Sequence, residues 1–322
     1  MTIPLSQLET WSAQGSITQS KNTYASIRAA LEEANAPYKN RIFKVFLQGS
    51  YGNDTNIYAE SDVDVVIRYD GAFFHDINTR PSEEQTAFNL AFPSSGTYGY
   101  GDFKDHVTKA LKAKFGDAIK PGKKAIRIEG NGNRRNADVI VAFEYRRYYR
   151  FKGVLDESHV TGMCFFESDG TRIANYPLRH SENLTTKHQA TNGKFKPMVR
   201  IFKNARSKLI DDGLIAKGSA PSYYVEGLLY NVPDDKFVGN YQDIFLKILQ
   251  WLHETNSRVD FVCANEQYYL LRDNSETCWA CDGRPEINQR SDRAVEQLVA
   301  IVQPWTLWML PPGSYPLSLE DR

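Results

Sequence analysis

No stretch of this chain approaches the ~20 consecutive apolar residues that a membrane helix needs. Residues 1–11 also lack the basic segment and apolar run of a secretory leader. A soluble, cytoplasmic protein is therefore expected. Cysteine is scarce, with four in the chain, and only Cys278-Trp279-Ala280-Cys281 has motif spacing. Without a second pair a zinc site is short of ligands, and reduced thiols are the expectation. An excess of either charge is lacking too: 39 Lys+Arg face 39 Asp+Glu. The whole-protein field will not draw in long polyanions, so no DNA or RNA template is expected. No Gly-x-Gly-x-x-Gly follows a strand pattern and no Walker-type lysine loop occurs, which disfavours nicotinamide and P-loop chemistry. The six histidines are scattered, without ligand-type partners one helical turn away. Internal repeats and low-complexity tracts are absent as well.

What is present is ordinary for a folded protein: 41% apolar, 24% charged and 12% aromatic residues in a chain of 322. That length allows two lobes or one large domain with a real core. Tyr24, Ile27, Leu31 and Ala34 make one apolar stripe, predicting a helix over 18–34 that Pro37 stops. A short apolar strand, 43–47, runs into the turn Gln48-Gly49-Ser50-Tyr51-Gly52-Asn53-Asp54. A second strand reads Asp62-Val63-Asp64-Val65-Val66-Ile67. Residues 71–100 read as a long irregular surface insertion. Phe103, Val107, Leu111 and Phe115 predict a helix ended by Gly116. Strands follow at 125–128 and 137–143, joined by a Gly130-Asn131-Gly132-Asn133 hairpin turn, and another at 163–166. From about Pro177 the pattern turns helical, with helices expected at 196–209, 222–230, 241–253 and 292–302. The reading is thus a mixed α/β lobe over 1–180 and a helical lobe over 181–322.

The chemistry concentrates between Gln48 and Ile67. Side chains alternate along a strand, so Asp62 and Asp64 share a face while Val63, Val65 and Ile67 take the other. Two neighbouring carboxylates repel each other, and a hard divalent cation, which prefers oxygen ligands, relieves that repulsion. Asp-x-Asp alone is common and also suits a solvated strand edge. The turn before it adds specificity. A strand ending in Gly49-Ser50 and turning towards a helix offers backbone N–H groups, close approach at Gly49 and the Ser50 hydroxyl to a phosphate.

Gly49-Ser50 followed by Ser61-Asp62-Val63-Asp64 resembles the signature of the DNA polymerase beta-like nucleotidyltransferase superfamily. That pattern needs a third carboxylate on a later strand, and Asp138 in Asn136-Ala137-Asp138-Val139-Ile140-Val141 matches it; Asp156 and Asp169 sit in turn-like surroundings. Lys194-Phe195-Lys196-Pro197-Met198-Val199-Arg200-Ile201-Phe202-Lys203-Asn204 resembles a helix of the oligoadenylate synthase and cGAS-DncV-like enzymes. Its Lys196, Arg200 and Lys203 share a face away from the apolar stripe. Charge runs are usually solvated faces; beside the acids, this one is expected to hold a triphosphate, chiefly through Lys203. Pro221-Ser222-Tyr223-Tyr224 resembles a helix start in the same family. Ser222 would meet a phosphate there and Tyr223 or Tyr224 a base, although a capping serine and packing tyrosines explain the residues equally well.

The chain thus resembles the bacterial cGAS-DncV-like nucleotidyltransferases, or CD-NTases, over residues 15–305. The resemblance implies an α+β fold: a polymerase beta-like core of mixed sheet and helices, a helical C-terminal lobe, and an active site in the cleft between them. It implies a cyclic oligonucleotide synthase that joins ribonucleoside triphosphates, ATP or GTP first, into a cyclic di- or trinucleotide for anti-phage signalling, with pyrophosphate released. Asp62, Asp64 and Asp138 would hold two Mg2+ ions (Mn2+ substituting), and Gln48, Gly49, Ser50, Lys196, Arg200, Lys203, Ser222 and Tyr223 the nucleotide. The product would be read by a separate effector protein, and the synthase is expected to be monomeric. Two rivals remain open: transfer to a tRNA, protein or small-molecule acceptor, and a nucleotide-binding pseudoenzyme switch.

Overall fold

A computed structural model describes residues 3–15, 17–58, 62–93, 96–255 and 260–270. The expected helix over 292–302 and the Cys278/Cys281 pair lie outside the described residues. Two helices, α1 (Leu5–Ser12) and α2 (Thr18–Leu31), precede strand β1 (Phe43–Gln48), the single turn α3 (Gly49–Gly52) and strand β2 (Val63–Asp76). Then come α4 (Ser82–Ala91), α5 (Tyr100–Phe115), β3 (Ile119–Pro121), β4 (Ile126–Ile128), β5 (Ala137–Gly153), β6 (Asp156–Phe166) and β7 (Arg172–Asn175). Four helices follow: α6 (Pro177–Ala190), α7 (Phe195–Asp211), α8 (Ser222–Tyr230) and α9 (Tyr241–Glu254).

Among the described residues the strands form one sheet of seven, ordered β1-β2-β5-β4-β3, with β6 on the far half of β5 and β7 beyond it. The β2–β5 pair is parallel and the remaining pairs are antiparallel. Strand alternation sorts the side chains as expected. Val63, Val65 and Ile67 of β2 and Ala137, Val139 and Val141 of β5 pack with Ile27 and Leu31 of α2 and Phe103, Val107 and Leu111 of α5. The opposite face carries Val66, Ile140, Ala142, Met163 and Phe165. Asp64 and Asp138 are in phase with this second set, at the end where β2 and β5 begin.

One expectation is corrected. Residues 71–100 are not an irregular insertion. Strand β2 runs on to Asp76 after a shift of register between Tyr69 and Phe73, and α4 packs its Phe88 on the elongated β5. The alternation there is masked by a buried ion pair inside the strand, Arg68 Nε to Asp70 at 2.6 Å. Ile3 and Leu8, which precede the sheet in sequence, are buried with α7, α8 and α9 in the second large core.

Candidate active site

Pairing register places four polar side chains in one row across four strands. Arg127 on β4 stands opposite Asp138 on β5, Asp138 beside Asp64 on β2, and Asp64 opposite Gln48 on β1. Neighbouring strands lie about 4.8 Å apart, so in-register residues on one face have adjacent side chains. Asp62 lies just before β2, on the same alternation as Asp64. The Gly49–Ser50 turn closes over the row. Gly49 has φ +67°, and a Cβ built on it would stand 2.2 Å from Asp64 Oδ2. Only glycine lets the backbone come that close to the carboxylate. The Gln48 side-chain oxygen is buried beside Asp64 and has no hydrogen-bond partner among the described residues.

The acids are neither free in solvent nor sealed. Asp62 is 41% exposed and Asp138 33% exposed. Burial pushes the Asp138 carboxyl up from its ordinary value; Arg127 opposes that and the nearby Asp62 charge adds to it. Arg127 Nη1 lies 3.2 Å from Asp62 Oδ2 and 3.7 Å from Asp138 Oδ1. Among the described residues no three His, Cys, Asp or Glu side chains are gathered closely enough to hold a metal as they stand. The donors nonetheless fit one: they are carboxylate oxygens, hard ligands suited to Mg2+ or Mn2+, on strand ends that face one turn.

The cationic stripe of α7 is placed differently from the sequence expectation. Lys196 Nζ meets Asp54 Oδ2 at 3.2 Å, and Arg200 donates from Nε to the Ser12 carbonyl at 2.6 Å and from Nη1 to the Asp54 carbonyl at 2.5 Å. Lys203 is fully buried, 2.8 Å from Glu226 Oε1 and 3.2 Å from the Thr55 carbonyl. Instead of facing the acids, all three side chains fasten α7 to the segment that follows α3. Residues 195–209 are packed on nearly every side, so the face away from the apolar stripe is an interior surface too. Ser222 opens α8 within 3.4 Å of Arg206 Nη1, and the Tyr223 ring stacks on His180 at 4.6 Å. Tyr224 is buried in the helical core.

Two features went unseen in the sequence. The first is Arg127, a lone charge between Ile126 and Ile128; three-residue alternation was the available signal. The second is Glu226, a lone acid in an apolar helix. Its carboxylate receives Lys203, His180 Nε2 at 2.8 Å, Thr55 Oγ1 at 2.5 Å and Asn53 Nδ2 at 3.2 Å. Burial alone would raise its pKa; the charge of Lys203 and the hydrogen bond and charge of His180 outweigh that and hold it well below the usual carboxylate range.

Residues 182–290 match the family model of the cGAS/DncV-like nucleotidyltransferase C-terminal helical domain. Over 269 residues the chain is 39% identical to a cyclic UMP-AMP synthase of Rhodothermus marinus (strain SG0.5JP17-172), covering 83% of this chain and 89% of that protein. The chain belongs to the bacterial cGAS/DncV-like nucleotidyltransferases. A second CD-NTase relative, the cyclic nucleotide synthase CdnE01 of Staphylococcus haemolyticus, is 38% identical over 283 residues, covering 86% of this chain and 93% of the relative. The solved structure of the Rhodothermus marinus CdnE c-UMP-AMP synthase with Apcpp and Upnpp superposes with a TM-score of 0.79 at 35% identity. That match covers 97% of this chain and 100% of the other. The sheet with its flanking helices is thus the polymerase beta-like core of a CD-NTase, and α6–α9 lie in its helical part. This CD-NTase is an enzyme, a nucleotidyltransferase. Among its described residues no helix is long and apolar enough to cross a membrane.

Proposed function

We propose that this CD-NTase joins ribonucleoside triphosphates into a cyclic di- or trinucleotide, with Asp62, Asp64 and Asp138 holding two Mg2+ ions. The observation that carries the reading is the register of β2 and β5, which sets Asp64 beside Asp138 under the Gly49 turn. The relatives' names support a cyclic product. Bound magnesium would neutralise the triphosphate and acidify the attacking ribose hydroxyl.

The chain's own residues divide the remaining work. Asp62 and Asp64 orient the donor side. Asp138, whose carboxyl is raised by burial, faces the acceptor and is suited to take its proton. The Gly49–Ser50 turn presents backbone N–H groups and the Ser50 hydroxyl to the phosphates. Gln48 offers its buried amide to the same nucleotide, and Ser222 and Tyr223 supply a hydroxyl and a ring surface at the start of α8. A second transfer on the linear intermediate closes the ring. ATP or GTP is proposed as one substrate. The name of the Rhodothermus marinus relative, a cyclic UMP-AMP synthase, makes UTP a substrate to include in any test. A role in anti-phage signalling, with a separate effector reading the product, completes the proposal.

The test is to incubate the protein with labelled ATP, GTP, CTP and UTP and Mg2+ or Mn2+, and to identify the product by mass spectrometry. A cyclic product is expected. Asp62→Asn with Asp64→Asn should lower its formation by at least about a hundredfold; full activity in that variant would sink the assignment.

A further inference from the structure

Arg127 has an unusual position for a side chain with no assigned role. It is the middle residue of a three-residue strand whose neighbours, Ile126 and Ile128, are buried on the other face. Alternation therefore puts its side chain on the acid face, and register puts it opposite Asp138. The guanidinium spans two carboxylates, with Nη1 3.2 Å from Asp62 and 3.7 Å from Asp138. The side chain is 41% exposed, so packing does not lock it there. A structural ion pair at such a place contributes little to stability.

A divalent ion on Asp62 and Asp138 would need their oxygens at about 2.1 Å. The guanidinium contacts these same oxygens. It lowers the local negative charge and occupies lone pairs that the ion must take. A triphosphate entering the site offers the guanidinium another partner, whose tetrahedral phosphates present pairs of oxygens to its planar fork. We propose that Arg127 is a built-in competitor for divalent metal: it pairs with Asp62 and Asp138 in the nucleotide-free protein and turns to a phosphate when metal and nucleotide arrive together. Metal and nucleotide binding are thereby coupled, and the coupling is reciprocal. The consequence is a site that holds metal weakly until substrate is present. This inference rests on the reading that the three aspartates are the metal ligands.

The experiment measures Mn2+ binding by electron paramagnetic resonance of the free ion, using the full chain. Titrations are run without nucleotide and again with an α,β-methylene ATP analogue. Arg127→Met is expected to bind Mn2+ about tenfold more tightly than the parent without nucleotide, as removal of a neighbouring positive charge at a part-exposed site predicts. The analogue should tighten Mn2+ binding markedly in the parent and little in Arg127→Met. Arg127→Lys, which keeps the charge, should resemble the parent without nucleotide. Equal or weaker Mn2+ binding by Arg127→Met overturns the competitor role. Asp64→Asn separates this from the parent reading: if it binds Mn2+ as well as the unmodified protein, the aspartates are not the ligands, and the metal assignment itself fails. Thermal unfolding of each variant confirms that the fold is intact.

Discussion

Position 49 combines two demands that no side chain meets. The backbone there is left-handed, φ +67°, which costs an L-residue about 1–2 kcal/mol. The space a Cβ would take belongs to Asp64 Oδ2, 2.2 Å away. Gly49→Ala should therefore lose both stability, by about 1–2 kcal/mol, and turnover, on the order of a hundredfold, because a displacement near 1 Å misaligns a reacting group. Gly116 provides the control. Its φ is +55° but nothing lies within 4 Å of a Cβ built there. Gly116→Ala should also cost stability, because of its positive φ, and leave turnover unchanged. Product assays and thermal melts of the two variants decide the matter; equal turnover losses would show that carboxylate displacement is not the cause.

At the scale of elements, one buried carboxylate joins three helices and a loop. Glu226 of α8 receives Lys203 of α7, His180 of α6, and Thr55 and Asn53 from the segment after α3. Glu226→Gln leaves a fully buried ammonium without its counter-charge, which costs about 3–5 kcal/mol. Removing both charges, with Lys203→Met added, should recover part of that loss. The pH dependence has a definite sign. The folded carboxyl is held below its unfolded value, so its contribution is present above about pH 4.3, the ordinary glutamate pKa. It is lost as pH falls below that towards the folded value. Urea unfolding of the unmodified protein between roughly pH 5 and 3 should therefore show a steeper loss of stability than Glu226→Gln. Parallel curves would remove Glu226 from the account. The same network explains why the partner of Lys203 is not legible in the sequence. A lysine on a helix face opposite an apolar stripe is ordinarily solvated or aimed at a ligand, and nothing local reveals that an acid 23 residues later meets it.

In the whole molecule the chain crosses between two cores. Ile3 and Leu8 of the N-terminal segment pack with α7–α9, while α2 immediately afterwards packs on the sheet. The Trp11 and Ser12 carbonyls accept from Asn204 and Arg200, which pins α1 to α7. Leu8→Ala should thus cost about 2–5 kcal/mol, the range for a buried leucine, although it precedes the sheet in sequence. Denaturant titration checks this; a loss under about 1 kcal/mol would mean α1 adds little to the helical core. Most element positions were legible beforehand because period-2 and period-3.6 patterns are local. The strand at Asp62–Ile67, the helix ended at Gly116 and α8 at Ser222–Tyr230 all carry such patterns. The second half of β2 and α4 were illegible for an equally local reason: Arg68 and Asp70 interrupt the strand pattern with a buried pair, and α4 buries little besides Phe88.

Alternation along two valine-rich strands told by itself which acids share a face, and the glycine-serine turn told where β1 ends. Both depend on neighbours a few residues away, so the amino-acid order was sufficient. Tertiary structure alone decided that Asp64 and Asp138 lie side by side, that Arg127 stands opposite them, and that Lys203 is spent on Glu226. Those outcomes depend on strand register and on how helices dock against a distant loop. Both are set by contacts between residues far apart in sequence, where no periodicity reaches.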